Sequence, residues 1–239
     1  MEKQHKSIIR LTQEAVQDYI KCPNFFYMKY MTKLSSKDDL SYHDLLQSVI
    51  NAYLTHLMDG KVMTMDKVKN KWDKLVDEHK ISDKKILDGI GYFNVFDNYC
   101  RTNKVMIANI NTPYEISFKD NIIINGNIGT IRYNNNKFEL FVVETSQKTP
   151  EQILLDMSLK YTFQIYALNY MKTDFKISGV RIFHVKSGHE FTTYRTQKDF
   201  DRLEKTINVI GRAIRNDIFY PREDHMCPVC NFKNYCGYL

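Results

Sequence analysis

Apolar side chains recur every three or four positions through residues 41–103, which is the period of an α-helix. Ser41 can cap the first helix of this stretch, and Asp59-Gly60 ends it. A second helix runs from Met65 to Lys80, and Ser82 begins a third that extends to about Arg101. The pattern predicts an all-helical segment over residues 41–103, which we interpret as an insertion into a larger domain.

The hydrophobic period shortens in residues 105–146, where brief apolar runs alternate with Asn and Gly. Such runs are typical of an antiparallel meander, with turns at Asn125-Gly126 and at residues 134–136. The last run is almost wholly apolar, which predicts a central strand that is buried on both faces. The predicted strands are Val105–Ile107, Tyr114–Phe118, Ile122–Ile124, Ile128–Tyr133 and Phe138–Glu144.

The remaining segments flank this sheet. Residues 1–10 are a basic and loose start, and Thr12 caps a helix that ends at Cys22 because Pro23 follows. The other predicted elements are a long helix from Pro150 to Tyr170, strands at Ile177–Val185 and Phe191–Tyr194, and a helix over Asp199–Ile218. The order predicts an α+β, or mixed α/β, fold in a single domain of residues 1–239.

Composition places the chain among ordinary globular proteins. Its 239 residues are 43% hydrophobic and 26% charged, and the sequence holds no apolar run long enough to span a bilayer. We therefore expect an intracellular, cytoplasmic protein with no membrane partner. The net charge of +6 permits an anionic partner such as nucleic acid without identifying one.

Four of the five cysteines lie near the two ends of the chain. The tail over residues 220–239 contains Cys227, Cys230 and Cys236 in the spacing C-x2-C-x5-C, and Cys22 is the nearest source of a fourth thiol ligand. We expect one metal centre that joins the two ends. Disulfides and a local zinc knuckle with His225 as fourth ligand are the alternatives, and Cys100 is expected in the core.

The order of these motifs resembles the iron–sulfur branch of the RecB-like PD-(D/E)XK nucleases, over about Leu11 to Cys236. That branch includes the AddB nuclease domain and the CRISPR-associated exonucleases. The resemblance is carried by the Cys-Pro after the first helix, a helical His, the stretch G-x-I-x-x-I, a strand ending in an acid, a helical Gln and the cysteine tail. It implies a nuclease-like core sheet flanked by helices.

The resemblance also implies roles for individual residues. The thiolates that would hold a 4Fe-4S cluster, or alternatively zinc, are Cys22, Cys227, Cys230 and Cys236. His43 matches a metal-binding histidine, Glu144 matches the acid of the (D/E)-x-K motif, and Gln164 matches the family glutamine. The tyrosine usual four positions after that glutamine is Leu168 here, and Tyr166 is a poor geometric substitute.

Two departures put catalysis in doubt. The family aspartate after G-x-I is Gly129 here, and the lysine of (D/E)-x-K is Ser146. Mg²⁺ or Mn²⁺ needs several oxygen ligands, and the lysine offsets charge that develops in the reaction. Lys148 could replace the lysine, and Glu115 or Asp120 could supply a carboxylate.

We therefore expect a catalytically degenerate protein that binds DNA or serves as a structural subunit of a nucleic-acid-processing assembly. The alternatives are an active metal-dependent single-strand DNA exonuclease with displaced catalytic residues, and a zinc-stabilised interaction module. Candidate phosphate contacts are Lys3, Lys6, Arg10, Lys67, Lys69, Lys71 and Lys74, which could equally be solvated surface residues.

Overall fold

A computed structural model describes residues 7–32, 34, 41–134, 137–171, 177 and 179–236. Lys3, Lys6 and the predicted turn residues Asn135 and Asn136 lie outside these ranges. The described helices and strands are β1 (Ile9–Thr12), α1 (Gln13–Lys21), α2 (Pro23–Phe26), α3 (Tyr42–Met58), α4 (Met65–His79), α5 (Asp83–Thr102), β2 (Met106–Phe118), β3 (Ile122–Asn134), β4 (Lys137–Glu144), α6 (Gln152–Asp156), α7 (Leu159–Tyr170), β5 (Gly179–His184), β6 (His189–Tyr194), α8 (Gln197–Arg215) and α9 (Lys233–Cys236).

The strands form one mixed sheet in the order β1-β3-β4-β5-β6, and β2 pairs with β3 as well. The β1–β3 and β4–β5 pairs are parallel, whereas β2–β3, β3–β4 and β5–β6 are antiparallel. Helices flank the sheet, so the predicted mixed α+β class is confirmed. The strand β4 lies inside the sheet between β3 and β5, as its apolar sequence predicts.

Two hydrophobic cores lie on opposite faces of this sheet, because neighbouring residues of a strand point to opposite faces. Leu140 of β4 joins a core that includes α1, α7 and α8, whereas the next residue, Phe141, joins a second core built from α3, α4 and α5. The helical segment 41–103 therefore covers one face of the sheet. None of the helices in the described ranges has the length and apolarity that crossing a membrane requires.

Local capping signals in the sequence are realised in the structure. Thr12 accepts a hydrogen bond from the backbone N–H of Ala15 at 3.0 Å, and Ser41 forms a reciprocal capping box with Asp44. The helix that starts there ends at Met58, beside the predicted stop at Asp59-Gly60, and Gly60 has a positive φ of 70°. These predicted helix boundaries are confirmed to within a residue or two.

The predicted turn at Asn125-Gly126 is wrong, because β3 continues straight through it. Gly126 pairs with Tyr114 of β2, and a Cβ at Gly126 would lie 2.6 Å from the Tyr114 hydroxyl oxygen. The glycine is therefore needed for the close approach of a cross-strand side chain, not for a turn. The two strands predicted on either side of the turn are one strand.

The predicted loose start over residues 1–10 is also wrong for its last residues. Ile9–Thr12 form β1, which pairs in parallel with Ile122–Asn125. Only four residues take part, so their alternation is too short to read from the sequence. The partner strand is more than a hundred residues away, and this pairing decides the local structure.

The predicted single helix from Pro150 to Tyr170 is two helices, α6 and α7, with a break at Met157 and Ser158. The buried Arg195 guanidinium donates hydrogen bonds to the carbonyls of Leu155 (2.8 Å) and Ser158 (3.0 Å). These carbonyls also accept the backbone N–H groups of Ser158 and Thr162, so the guanidinium adds charge-assisted hydrogen bonds at the break. The charge of a distant arginine stabilises the break.

Gly89 of α5 permits close packing of the buried Trp72, because a Cβ at Gly89 would lie 2.5 Å from ring atom Cζ2. We expect Gly89→Ala to lower the free energy of unfolding by roughly 1–3 kcal/mol, since the ring must shift within a packed core. Gly91 of the same helix faces open space, so Gly91→Ala should instead raise it by about 0.5–1 kcal/mol. Urea unfolding of both variants checks this, and equal effects would contradict the packing argument.

Candidate functional site

Four cysteines line one pocket with a volume of about 200 Å³. Cys22 comes from the junction of α1 and α2, and the other three, Cys227, Cys230 and Cys236, come from the C-terminal tail. His225, the alternative fourth ligand, is exposed and does not line the pocket. All four thiols that the sequence singles out thus border one pocket, although within the described ranges no three of them lie close enough together to hold a single metal ion.

Hydrogen bonds fix the tail across the N-terminal helices. The Tyr19 hydroxyl donates to the carbonyl of Ile218 (2.7 Å), and Arg222 Nη1 donates to the carbonyl of Ile20 (3.0 Å). The rings of Phe25 and Phe232 pack edge to face with centroids 5.1 Å apart. Direct protein contacts therefore hold both sides of the cysteine pocket together.

N–H groups point at three of the four sulfur atoms. Such donors are typical of sites where thiolates ligate a metal or cluster, because they stabilise charge on sulfur. The donor–sulfur pairs are Arg222 N to Cys22 Sγ (3.4 Å), Asp224 N to Cys227 Sγ (3.3 Å) and Asn24 Nδ2 to Cys236 Sγ (3.2 Å).

Cys100 lies apart from this pocket. It is buried in the core formed by α3, α4 and α5, as predicted. Burial, and then the charge of Asp97, raise the pKa of its thiol to about 12. Cys100 therefore behaves as a small apolar side chain.

The second candidate region is a gap in the sheet beside β3. On one edge, β2 pairs with β3 from Ile122 to Tyr133; the other edge is shared by β1, which pairs up to Asn125, and β4, which pairs from Thr130 onward. Within the described ranges, residues 126–129 have no strand on that edge. We call residues 126–129 the strand fork, and it contains the motif Gly-Asn-Ile-Gly.

Gln164 of α7 projects into the strand fork. Its Nε2 donates to the carbonyl of Asn127 at 3.4 Å, and a Cβ added at Gly129 would lie 3.7 Å from the same atom. The side chain is buried, and its Oε1 has no hydrogen-bond partner within the described part of the chain. The amide thus lies beside Gly129, the position at which the family resemblance leads us to expect an aspartate.

Glu144 lies at the end of β4, beyond the last residue of that strand that pairs with β3. One of its carboxylate oxygens accepts a hydrogen bond from the backbone N–H of Ser146 at 2.9 Å. The Ser146 hydroxyl in turn donates to the carbonyl of Lys148, whose side chain is exposed. Residues 144–148 therefore form a tight turn in which Ser146 is engaged on both sides.

The proposed substitute carboxylates have partners elsewhere. Glu115 accepts a hydrogen bond from Arg10 at 2.8 Å on an exposed edge of the sheet. Asp120 lies in the turn between β2 and β3, with its carboxylate 3.6 Å from Nε of Arg212. Both carboxylates are thus already engaged in ion pairs with arginines.

His43 lies on the first turn of α3, and its Nδ1 is buried without a hydrogen-bond partner among the described residues. In the ranges that the structure describes, no three His, Cys, Asp or Glu side chains come close enough together to hold one metal ion. The contacts recorded for His43 and Glu144 thus do not join them into a metal site.

Two side chains near Glu144 were missed by the sequence analysis. Tyr161 lies one helical turn before Gln164, and burial followed by the charge of Glu144 raises its pKa above the usual value. The buried His184 approaches the carbonyl of Ser146 with Nε2 at 2.9 Å and the hydroxyl of Ser187 with Nδ1 at 2.9 Å. Tyr161 and Gln164 are three residues apart, a spacing that places them on the same face of a helix and that can be read from the sequence. Nothing in the neighbouring sequence marks His184.

A separate polar cavity of about 270 Å³ borders β3 and β5. Its buried Arg132 bonds to Glu139 (2.9 Å), to Glu190 (3.2 Å) and to the Tyr99 hydroxyl (2.5 Å), and Arg181 also bonds to Glu139. The charges of two arginines and two glutamates cancel, so this cluster has no net charge that would attract a charged ligand.

The family model of the PD-(D/E)XK nuclease superfamily matches residues 10–237. Among solved structures, the chain is similar to that titled "Crystal structure of SSO0001", with a TM-score of 0.42 and 14% sequence identity over 99% of this chain and 88% of that one. A search of curated proteins finds no match. The chain belongs to the PD-(D/E)XK nuclease superfamily.

Proposed function

We propose that this protein is an iron–sulfur-containing, catalytically degenerate member of the superfamily that binds DNA or supports a nucleic-acid-processing assembly. The observation that carries the proposal is the pocket lined by Cys22, Cys227, Cys230 and Cys236. The residues that line this pocket come from the two ends of the chain, and none of them belongs to the strand fork. The fold can therefore keep its stabilising centre when the catalytic residues change.

Support for the cluster comes from the donor set and its surroundings. Four soft thiolates suit a 4Fe-4S cluster or zinc, and N–H groups directed at sulfur are common where thiolates carry shared charge. Apolar side chains, including Phe25 and Phe232, line part of the same pocket. When bound, the cluster would fix the tail against the N-terminal helices.

Support for catalytic loss comes from the strand fork. The family positions for a carboxylate and a lysine hold Gly129 and Ser146, and the Gln164 amide lies 3.7 Å from where a Cβ at Gly129 would be. Glu144 already accepts a hydrogen bond from Ser146. A hard cation such as Mg²⁺ prefers several oxygen ligands, and these residues offer few.

The alternative function is an active metal-dependent single-strand DNA exonuclease. It is favoured by two buried polar atoms, His43 Nδ1 and Gln164 Oε1, which have no partner within the described ranges. A buried polar atom without a partner is costly unless a ligand or water uses it. In this alternative His43 and Glu144 hold Mg²⁺ or Mn²⁺, and Lys148 replaces the missing lysine.

DNA binding is supported by the superfamily and by exposed lysines. Lys67, Lys69 and Lys74 project from α4 into solvent, and Lys71 is half-buried. Arg10, in contrast, is already paired with Glu115. Phosphate contacts release counterions, so an affinity that falls steeply with salt would support this role, and no measurable affinity at low salt would remove it.

The experiment that separates the two functions uses protein purified without oxygen and analysed for iron, sulfide and zinc. Single- and double-stranded DNA are then incubated with this protein and Mn²⁺, beside the Glu144→Ala variant. We expect iron and sulfide to be present and DNA to remain intact. Degradation that disappears in Glu144→Ala would establish the alternative function, and zinc without iron would exclude the cluster.

A further inference from the structure

We propose that Asn24 is a positioning residue that sets the electron density on Cys236 and thereby the reduction potential of the cluster. This inference rests on the proposed function, because it needs a metal centre in the cysteine pocket. It concerns a side chain that is not a ligand. Asn24 follows Cys22 by two residues, so it couples the one ligand from the head of the chain to the last ligand of the tail.

The backbone of Asn24 is itself held by the tail. Its N–H donates to the carbonyl of Tyr220 at 3.1 Å, and its side-chain Nδ2 donates to Cys236 Sγ at 3.2 Å. One residue thus bonds to both ends of the segment that carries the three tail cysteines. The side chain has a fixed base from which to direct its amide at sulfur.

Other contacts near Cys236 include the packing of Phe232 on Phe25 and hydrogen bonds within the tail. Lys233 N donates to the carbonyl of Cys230 (3.2 Å), and Lys233 Nζ donates to the carbonyl of Pro228 (3.1 Å). The helix α9, which ends at Cys236, is only four residues long. A short helix gives its last residue little rigidity of its own, so the bond from Asn24 contributes strongly to the position of the sulfur.

Asn24 differs from the other two donors to sulfur in the pocket. Arg222 and Asp224 donate through their backbone N–H groups, which no substitution other than proline removes. Asn24 donates through a side-chain amide. Among the described donors to these cysteines, it is the one that a conservative substitution can remove without altering the backbone.

An N–H donor withdraws electron density from a thiolate and so favours the more reduced state of a cluster. Loss of the Asn24 amide should therefore shift the reduction potential to a more negative value. It should also loosen Cys236, because partners that orient a ligand typically contribute about 10- to 100-fold in metal affinity. A residue that only packs would change stability without moving the potential.

The test uses the full chain, purified without oxygen, as wild type, Asn24→Leu and Asn24→Gln. Leucine has a similar shape without the donor, and glutamine keeps the amide on a longer side chain. For Asn24→Leu we expect a more negative potential in a redox titration followed by visible absorption, and iron release to a chelator about 10-fold faster than wild type. Asn24→Gln should lie between the two.

The outcomes separate this inference from the proposed function. A wild-type protein with iron and sulfide whose potential is the same in Asn24→Leu would overturn the role of Asn24 alone. A wild-type protein that holds zinc would overturn the cluster, and the release of zinc to a chelator would then measure the same contact, with equal rates rejecting it. A wild-type protein without metal would overturn both.

Discussion

Cys22→Ser is expected to lose iron and sulfide and to lower the free energy of unfolding by more than about 4 kcal/mol, the range in which the loss of a metal site lies. In the proposed centre Cys22 would be the one ligand from the head of the chain, so its loss would open a closed loop of about 200 residues. In the chain-entropy model, closing a loop of this length restricts the unfolded chain by about 5 kcal/mol.

The tail should separate from the body before the sheet unfolds in this variant. The contacts that remain include the hydrogen bonds from Tyr19 to Ile218 and from Arg222 to Ile20. A hydrogen bond contributes only about 1 kcal/mol net, so such bonds do not replace a metal centre. Limited proteolysis should cut Cys22→Ser near residues 219–236 at a protease concentration that leaves the wild type intact.

Cys100 provides the matched control for this prediction. It is a cysteine of the same chain, buried in the other core and distant from the pocket. Cys100→Ala should keep full iron content and cost about 1 kcal/mol, because it removes one small buried group. If Cys22→Ser melts and resists proteolysis like the wild type, the four-cysteine centre is not structural.

Local chemistry explains which parts of the fold could be predicted from the sequence. The cap at Ser41 needs only Asp44, three residues away, and a glycine that ends a helix acts on its own turn. The apolar sequence of β4 likewise reports its own burial. Each of these signals depends on only a few neighbouring residues, so it can be read from the amino-acid sequence alone.

Tertiary pairing explains what the sequence did not reveal. Asn125-Gly126 has the composition of a hairpin turn, yet Tyr114 of the neighbouring strand uses the space that Gly126 leaves. The break between α6 and α7 is stabilised by hydrogen bonds from Arg195, which is about forty residues away. In both places a distant side chain decides between local structures that the sequence alone leaves equally reasonable.

The same distinction applies to the candidate site. The C-x2-C-x5-C spacing is a local signal, and all four predicted cysteines line one pocket. Asn24 is singled out by its contact with Cys236, which is more than two hundred residues away in the sequence. His184 is singled out by its contact with Ser146. A motif marks ligands, whereas the residues that orient them become visible only in three dimensions.

The double variant Gly129→Asp, Ser146→Lys is expected to degrade DNA in the presence of Mn²⁺ at least about 100-fold faster than the wild type, since one catalytic donor is typically worth 10²–10³ in rate. The structure has room for the first change. A Cβ at Gly129 meets its nearest neighbour, Gln164 Nε2, at an ordinary contact distance of 3.7 Å. The new carboxylate would also have that amide as a donor.

The second change leaves the interaction with Glu144 in place. Ser146 donates to Glu144 through its backbone N–H, which a lysine retains, and only the bond from the Ser146 hydroxyl to the Lys148 carbonyl is lost. Each single substitution should be much less active than the double variant, because a metal-bound phosphate needs both the added carboxylate and the added positive charge.

The matched control is Gly129→Asn, Ser146→Met, which adds side chains of similar size without either charge and should stay inactive. Adding Glu144→Ala to the active variant should abolish degradation, because Glu144 would then be an essential carboxylate. Equal activity of wild type and double variant would show that displaced residues already complete the site. A folded but inactive double variant would show that the strand fork cannot hold the metal even with both residues restored, and that its geometry, as well as its sequence, has departed from that of a nuclease.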